Sequence, residues 1–319
     1  MAEPIQVLYI AGSGRSGSTL LARLLGEVEG IANVGQAAFH YFGKCPPIPC
    51  GCGAQVQDCR FWQDIPANSG MQEFGQEFFR KRHFARLALT NNCCDAGAQE
   101  LISSMSELYR SIAAKTGAWA IVDCSKNPAR AYALSRAPGV RLSVIHLIRS
   151  PHGVVESWSR AKKYLSQVPA WRAALSWNFV NPFIELFTSS RLVGKWTIRY
   201  EDLIAAPKAF VATIASALLG RSADCSFLQG HRATVKVQHM LAANPDIFRG
   251  SDLVIEQRLP SHTNFVASAM TFPLALRYGY VWPNSSWLAP VRISTANSRS
   301  FRCHRDDEPE LRFPSLPAW

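Results

Sequence analysis

The chain has 319 residues, 48% of them hydrophobic, with 34 Lys and Arg against 23 Asp and Glu for a formal net charge of +11. Size is no obstacle to one large α/β core, and the positive balance suits a ligand carrying several negative charges. No basic run with interleaved aromatics points to nucleic acid, and no apolar stretch approaches the ~20 residues of a membrane span.

In chain order, residues 5–10 read as a buried strand, followed by a glycine- and serine-rich turn and a helix over 17–28. Within VLYIAGSGRSGSTLL (7–21), the turn is Ser13, Gly14, Arg15, Ser16, Gly17, Ser18 and Thr19. Glycines let the backbone approach an anion closely, and a helix start offers free N–H groups and roughly half a positive charge. That combination makes a phosphate site built mostly of backbone. The spacing Gly12-x4-Gly17-x-Thr19 fits the nucleotide P-loop, except that Ser18 stands where the P-loop lysine belongs. Arg15 is the cation inside the loop, so a nucleotide other than ATP is implied. A plain strand–helix connection is the alternative.

A second strand over 30–34 runs into Val34-Gly35-Gln36, with His40 four residues on. The segment KCPPIPCGCGAQVQDCRFW then places Cys45, Cys50, Cys52 and Cys59 within fifteen residues. Thiolates in a Pro/Gly-rich frame suit zinc, but the paired C-x2-C knuckles are missing, so a disulfide or reduced buried thiols stay open. Cys93 and Cys94 are adjacent and read as packing residues. The odd count of nine cysteines, with an acidic N-terminus that is no signal peptide, fits a cytoplasmic location.

A helix is expected over 97–116, a strand over 118–123, a helix over 127–137 and a strand over 141–148. The last ends in Arg149, Pro151 opens a helix over 151–164, and Ser157 lies about two turns into it. Arginine plus a hydroxyl makes a small phosphate clamp. No aspartate on this strand offers itself for magnesium, as an ATPase would require. Further helices are expected over 170–190 and 206–219, around a strand at 195–199. Trp158, Trp171 and Trp177 read as packing residues at helical spacing, and His146 as a core residue in mid-strand. Residues 283–319 read as an extended or disordered tail. The alternation implies an α/β fold, a central mostly parallel sheet with helices on both faces, and ligands beyond the carboxyl ends of its strands.

Together the loop and the Arg149…Ser157 segment resemble the PAPS-dependent sulfotransferases. Three more stretches are similar to that family: VDCSKNP (122–128), RYEDL (199–203) and HMLAANPDIFRG (239–250). The five span about residues 5–280 in the family's order. The resemblance implies a P-loop-containing nucleoside triphosphate hydrolase-like fold in one domain, 1–282, with a Cys-rich insert at 43–63 and a helical acceptor-side region at 64–117. Bacterial members carry a similar C-G-C-G insert. It implies 3′-phosphoadenosine 5′-phosphosulfate (PAPS) as sulfonate donor, no metal required for transfer, and a hydroxyl on a small molecule, carbohydrate or peptide as acceptor. Ser13 to Thr19 would grip the 5′-phosphosulfate, Arg149 and Ser157 the 3′-phosphate, and Tyr200 the adenine. Lys126 would lie near the sulfonate with Arg15, and a late loop holding Asn244 and Arg249 would close over the nucleotide.

One departure stands out. Many relatives carry V-G-E where this chain has Val34-Gly35-Gln36, and glutamine accepts no proton at neutral pH. His40 is the nearest titratable candidate for the general base, with Asp123 second. An acidic acceptor needing no base, or a protein that binds PAPS or PAP with weak turnover, are the other readings. A P-loop kinase for a small alcohol is the third class, disfavoured by Ser18 and by the missing magnesium aspartate.

Overall fold

The computed structural model describes residues 3–37, 48–66, 96–160, 167–187, 194–241, 252–256, 264–280 and 293–294. Strand β1 (Ile5–Ala11) sits at the centre of a six-stranded sheet of order β2-β3-β1-β4-β5-β9. Its partners are β2 (Ile31–Gly35), β3 (Ala120–Lys126), β4 (Val140–Ile148), β5 (Gly194–Arg199) and β9 (Ile293–Ser294). The first five strands run parallel, and β9 closes one edge antiparallel to β5. A second, antiparallel sheet joins β6 (Leu228–Gln229), β7 (Arg232–Thr234) and β8 (Asp252–Val254).

The near-continuous apolar run of β1 follows from burial on both faces. Val7, Tyr9 and Ala11 pack with Leu101, Met105, Leu108 and Tyr109 of helix α2 (Ala96–Thr116) and with Leu134 of α3 (Pro128–Leu134). Leu8 and Ile10 face the other way, onto Leu21, Leu24 and Leu25 of α1 (Ser18–Leu25). The period of two along one strand thus serves two cores, each apolar side chain contributing about 1.5–3 kcal/mol by its burial.

Helix starts follow local chemistry. Asn127 caps α3 by accepting from the Ala129 amide, with Pro128 at the first helical position. Ser150 does the same for α4 (Pro151–Ser159), accepting from the Gly153 amide with Pro151 next. Further helices are α5 (Ala170–Phe187), α6 (Tyr200–Ala205), α7 (Pro207–Leu219) and α8 (Phe265–Arg277). The five expected strands and six expected helices are all present, with ends shifted by a few residues. The expected ends of α4 and α5 run into 161–166 and 188–193, outside the described residues. Helices α6 and α8 and the small antiparallel sheet were not anticipated; their strands of two or three residues carry too little periodicity to read. Most of 283–319 lies outside the described residues, but Ile293 and Ser294 pair with β5.

Trp177 is buried in the core as expected, yet Trp171 is 54% exposed, which corrects the reading of it as a packing residue. Helix α5 buries Ala173, Ala174, Trp177, Asn181 and Ile184, which leaves Trp171, Leu175 and Phe179 on the opposite face. No described helix is long and apolar enough to cross a membrane.

Candidate functional site

The carboxyl ends of β1, β3 and β4 bring the sequence-defined segments together. Between β1 and α1 the loop turns through Gly17, which stands at φ 95° ahead of the helix. Only glycine adopts that conformation freely, and a Cβ there would lie 2.3 Å from Cδ2 of Tyr200. The tyrosine ring therefore lies directly against the loop backbone. The Ser13, Ser16 and Ser18 side chains are buried, and no described group pairs with their hydroxyl oxygens. Buried hydroxyls are costly to leave unpaired, so three in one turn, beside the free amides of a helix start, fit a bound anion.

Two cations flank this loop under backbone constraint. Arg15 has φ 70° and Lys126 has φ 67°, and among the described residues they are the non-glycine positions with positive φ. Such conformations cost about 1–3 kcal/mol and collect at functional sites. Lys126 reaches the loop because the β1–β3 register slips between Tyr9 and Ala11, so that Lys126 pairs with Ala11. Burial pushes the Lys126 ammonium below its ordinary pKa; Arg15 adds to the shift and Cys124 opposes it.

The β4–α4 junction supplies the second half. Arg15 Nε donates to the Ser157 hydroxyl at 2.9 Å, and Arg149 Nη1 donates to the Arg15 carbonyl at 3.2 Å. The Arg149 guanidinium also lies over the Tyr200 ring, 4.6 Å from its centroid. Its own carbonyl accepts from Trp177 Nε1 at 2.9 Å, which ties the arginine's backbone to α5. Arg15, Ser157, Arg149 and Tyr200 thus form one connected group around the loop.

The remaining motif residues are framework. In RYEDL, Glu201 is buried and accepts from the Ser150 amide at 3.0 Å and the Tyr280 hydroxyl at 2.8 Å. Asp202 takes a two-pronged pair from Arg199 at 2.8 and 2.9 Å. In VDCSKNP, Asp123 is fully buried, accepting from the Ser125 amide at 2.7 Å, from the Ser125 hydroxyl and from the Tyr109 hydroxyl. The buried Arg130 lies 3.6 Å away. Asp123 is therefore committed to folding the turn that presents Lys126, which argues against it as a general base. His146 is buried in β4 and paired with Asn181 Oδ1 at 3.0 Å, and burial pushes its pKa down to about 4.

Gln36 follows β2, where its amide donates to the Leu241 carbonyl at 2.9 Å, and Gly35 pairs with Asp123 of β3. The glutamine is thus held at the carboxyl edge of the sheet. His40, Asn244 and Arg249 lie outside the described residues, as do Cys45, Cys93 and Cys94.

Sequence reasoning weighed a zinc clip among Cys45, Cys50, Cys52 and Cys59 near this edge but missed the histidine that joins three of them. Cys50, Cys52, Cys59 and His239 bring their ligand atoms within 4.8 Å of one another. The three cysteines were legible in the insert, and His239 opens the HMLAANPDIFRG stretch, but nothing in the spacing joined them. The five described cysteines, Cys50, Cys52, Cys59, Cys124 and Cys225, are free thiols.

No protein-family model matches the chain, and no curated protein does. Among solved structures it is similar to the sulfotransferase domain of the Synechococcus PCC 7002 olefin synthase, at 18% identity and TM-score 0.49, over 89% of this chain and 98% of that one. The sulfotransferase domain from the curacin biosynthetic pathway gives 18% identity and 0.48, over 86% and 99%. A sulfotransferase from Alicyclobacillus acidocaldarius gives 16% and 0.34, over 72% and 87%. Identities below a fifth and TM-scores below 0.5 leave the functional question to the residues of the chain itself.

Proposed function

We propose that this chain is a PAPS-dependent sulfotransferase acting on a hydroxyl acceptor. The observation that carries the reading is the single group formed by Arg15, Ser157, Arg149 and Tyr200 around a phosphate-type loop that lacks the ATP lysine. The buried Ser13, Ser16 and Ser18 hydroxyls, without a partner among the described residues, supply the anion-binding capacity such a loop needs.

Bound PAPS supplies the sulfonate: the acceptor oxygen attacks sulfur, the bond from sulfur to the 5′-phosphate oxygen breaks, and PAP leaves. The loop amides at Gly17, Ser18 and Thr19 hold the 5′-phosphate and stabilise charge growing there. Arg15 and Lys126 flank that charge from two strands, and a bound anion beside Lys126 counters the burial that lowers its pKa. Arg149 and Ser157 select the 3′-phosphate, with Tyr200 against the adenine. Asn244 and Arg249 are assigned to the closing loop. The proton released by the acceptor goes to His40, the titratable group nearest in sequence to Gln36, in a role worth typically ~10²–10⁴-fold.

The test is transfer itself. Purified chain is given PAPS with a panel of phenolic, sugar and peptide hydroxyls, with and without a chelator, and PAP release is followed. Acceptor-dependent PAP release that survives chelation supports the reading. Phosphate transfer from ATP that chelation abolishes would replace it with a kinase.

A further inference from the structure

The cluster of Cys50, Cys52, Cys59 and His239 has the shape of a metal centre. Cys52 Sγ lies 3.7 Å from Cys59 Sγ, and His239 Nδ1 lies 3.7 Å from Cys50 Sγ and 3.3 Å from Cys59 Sγ. With Zn–S near 2.3 Å and Zn–N near 2.0–2.1 Å, a tetrahedron has S–S edges of about 3.8 Å and S–N edges of about 3.5 Å. The three observed edges are of that size. A disulfide would need its sulfurs about 2.05 Å apart, so 3.7 Å is not one.

The chain around the cluster is built to hold this arrangement. Cys50 and Cys52 share a tight turn in which the Cys50 amide donates to the Ala54 carbonyl and the Cys50 carbonyl accepts from the Gly53 amide, with Gly53 at φ 93°. Cys59 begins the single turn Arg60–Gln63. The His239 ring stacks on Phe61 at 4.9 Å with only 4° between planes, which fixes the direction of Nδ1. Trp62 Nε1 donates to the His239 carbonyl at 2.8 Å, so the histidine backbone is also secured.

We infer that Cys50, Cys52, Cys59 and His239 form a structural zinc site that fastens the Cys-rich insert to the segment at 239–241. Four protein ligands close the tetrahedron and leave no position for substrate, which marks a structural rather than catalytic centre. Binding displaces three thiol protons to solvent, and three thiolates, one neutral imidazole and Zn2+ sum to a charge of −1. The metal joins elements that matter to the transfer site. Cys50 bridges Leu241, the Gly51 amide donates to the Met240 carbonyl at 2.9 Å, and Leu241 in turn pairs with Gly35 and receives the Gln36 amide. Zinc thus secures residues 239–241 at the sheet edge, without entering the reaction.

This inference goes beyond the sulfotransferase reading and is tested without any nucleotide. The full chain is expressed in zinc-supplemented defined medium, purified without a metal-affinity column, and its metal content measured by plasma mass spectrometry. Stoichiometric zinc is expected. It should be lost in Cys59→Ser and in His239→Asn, and kept in Cys225→Ser and Cys45→Ser. Cobalt replacing zinc should give thiolate charge-transfer absorption and the strong visible bands of a tetrahedral site, a signature that stands even if a ligand variant fails to fold. Wild-type chain free of metal, with Cys52 and Cys59 open to alkylation or joined as a disulfide, overturns the site. Zinc that persists in His239→Asn but disappears in Cys45→Ser overturns the ligand set.

Discussion

Arg15 donates its Nε–H to the Ser157 hydroxyl at 2.9 Å, across 142 residues of sequence. The contact joins the β1–α1 loop to helix α4, so the two halves of the proposed nucleotide site are held in register before any ligand arrives. Preorganisation of this kind lowers the ordering cost of binding. Ser157→Ala and Arg15→Ala should therefore be non-additive for PAP affinity, with a coupling of about 0.5–3 kcal/mol. A double-mutant cycle by calorimetry checks it, and additive losses would mean the two halves bind independently.

Lys126 at φ 67° is held in a conformation that only glycine adopts freely. Lys126→Gly should be more stable than Lys126→Ala by about 1 kcal/mol, because both lose the ammonium and only glycine relieves the backbone. Both should lose sulfonate transfer. Urea midpoints and turnover on the same preparations separate strain from chemistry; equal stabilities would show that the turn carries no strain.

Asp123 and Arg130 are both buried, 3.6 Å apart. Asp123→Asn should cost about 3–5 kcal/mol by leaving a buried guanidinium without its counter-charge. Replacing both residues by apolar ones of similar volume should cost less. If Asp123→Asn instead unfolds like the wild type but loses turnover, the carboxylate acts in the reaction and its framework role is wrong.

His146 gives a pH dependence with a definite sign. Its folded pKa is pushed down to about 4 by burial, against about 6.5 unfolded, so below pH 6.5 the unfolded chain takes up a proton that the folded chain refuses. This contribution is fully present above pH 6.5 and declines as pH falls toward 4, by up to about 3 kcal/mol in total. His146→Gln, which can still pair with Asn181, should flatten the stability profile in that window. A profile identical to wild type would mean that His146 does not titrate between the two states.

The sheet was legible because β1, β3 and β4 are apolar on both faces and each ends at a residue with chemistry: Gly12, Lys126 and Arg149. Pro128 and Pro151 marked the helix starts that follow. What escaped reading depended on distant partners. The framework roles of Asp123 and Glu201 come from Arg130, Tyr109 and Tyr280, none of which the local motifs announce. Trp171 was misplaced because the type of residue on a helix does not by itself say which face is buried, and the helix turns it toward solvent. His239 lies 180 residues from Cys59, and tertiary contacts, among them the strand-like pairing of Leu241 with Gly35 and Cys50 and the Trp62 bond to the His239 carbonyl, bring it to the insert.

The central claim is that Arg149 and Ser157 read a 3′-phosphate beside a loop that reads the 5′-phosphate. Calorimetric titration of the wild type and of Arg149→Ala with PAP, AMP and ATP tests it most directly. PAP should bind the wild type at least about 10-fold more tightly than AMP, and Arg149→Ala should lose about 10- to 100-fold for PAP while AMP changes little. Preference for ATP, or equal binding of PAP and AMP by the wild type, would contradict the account.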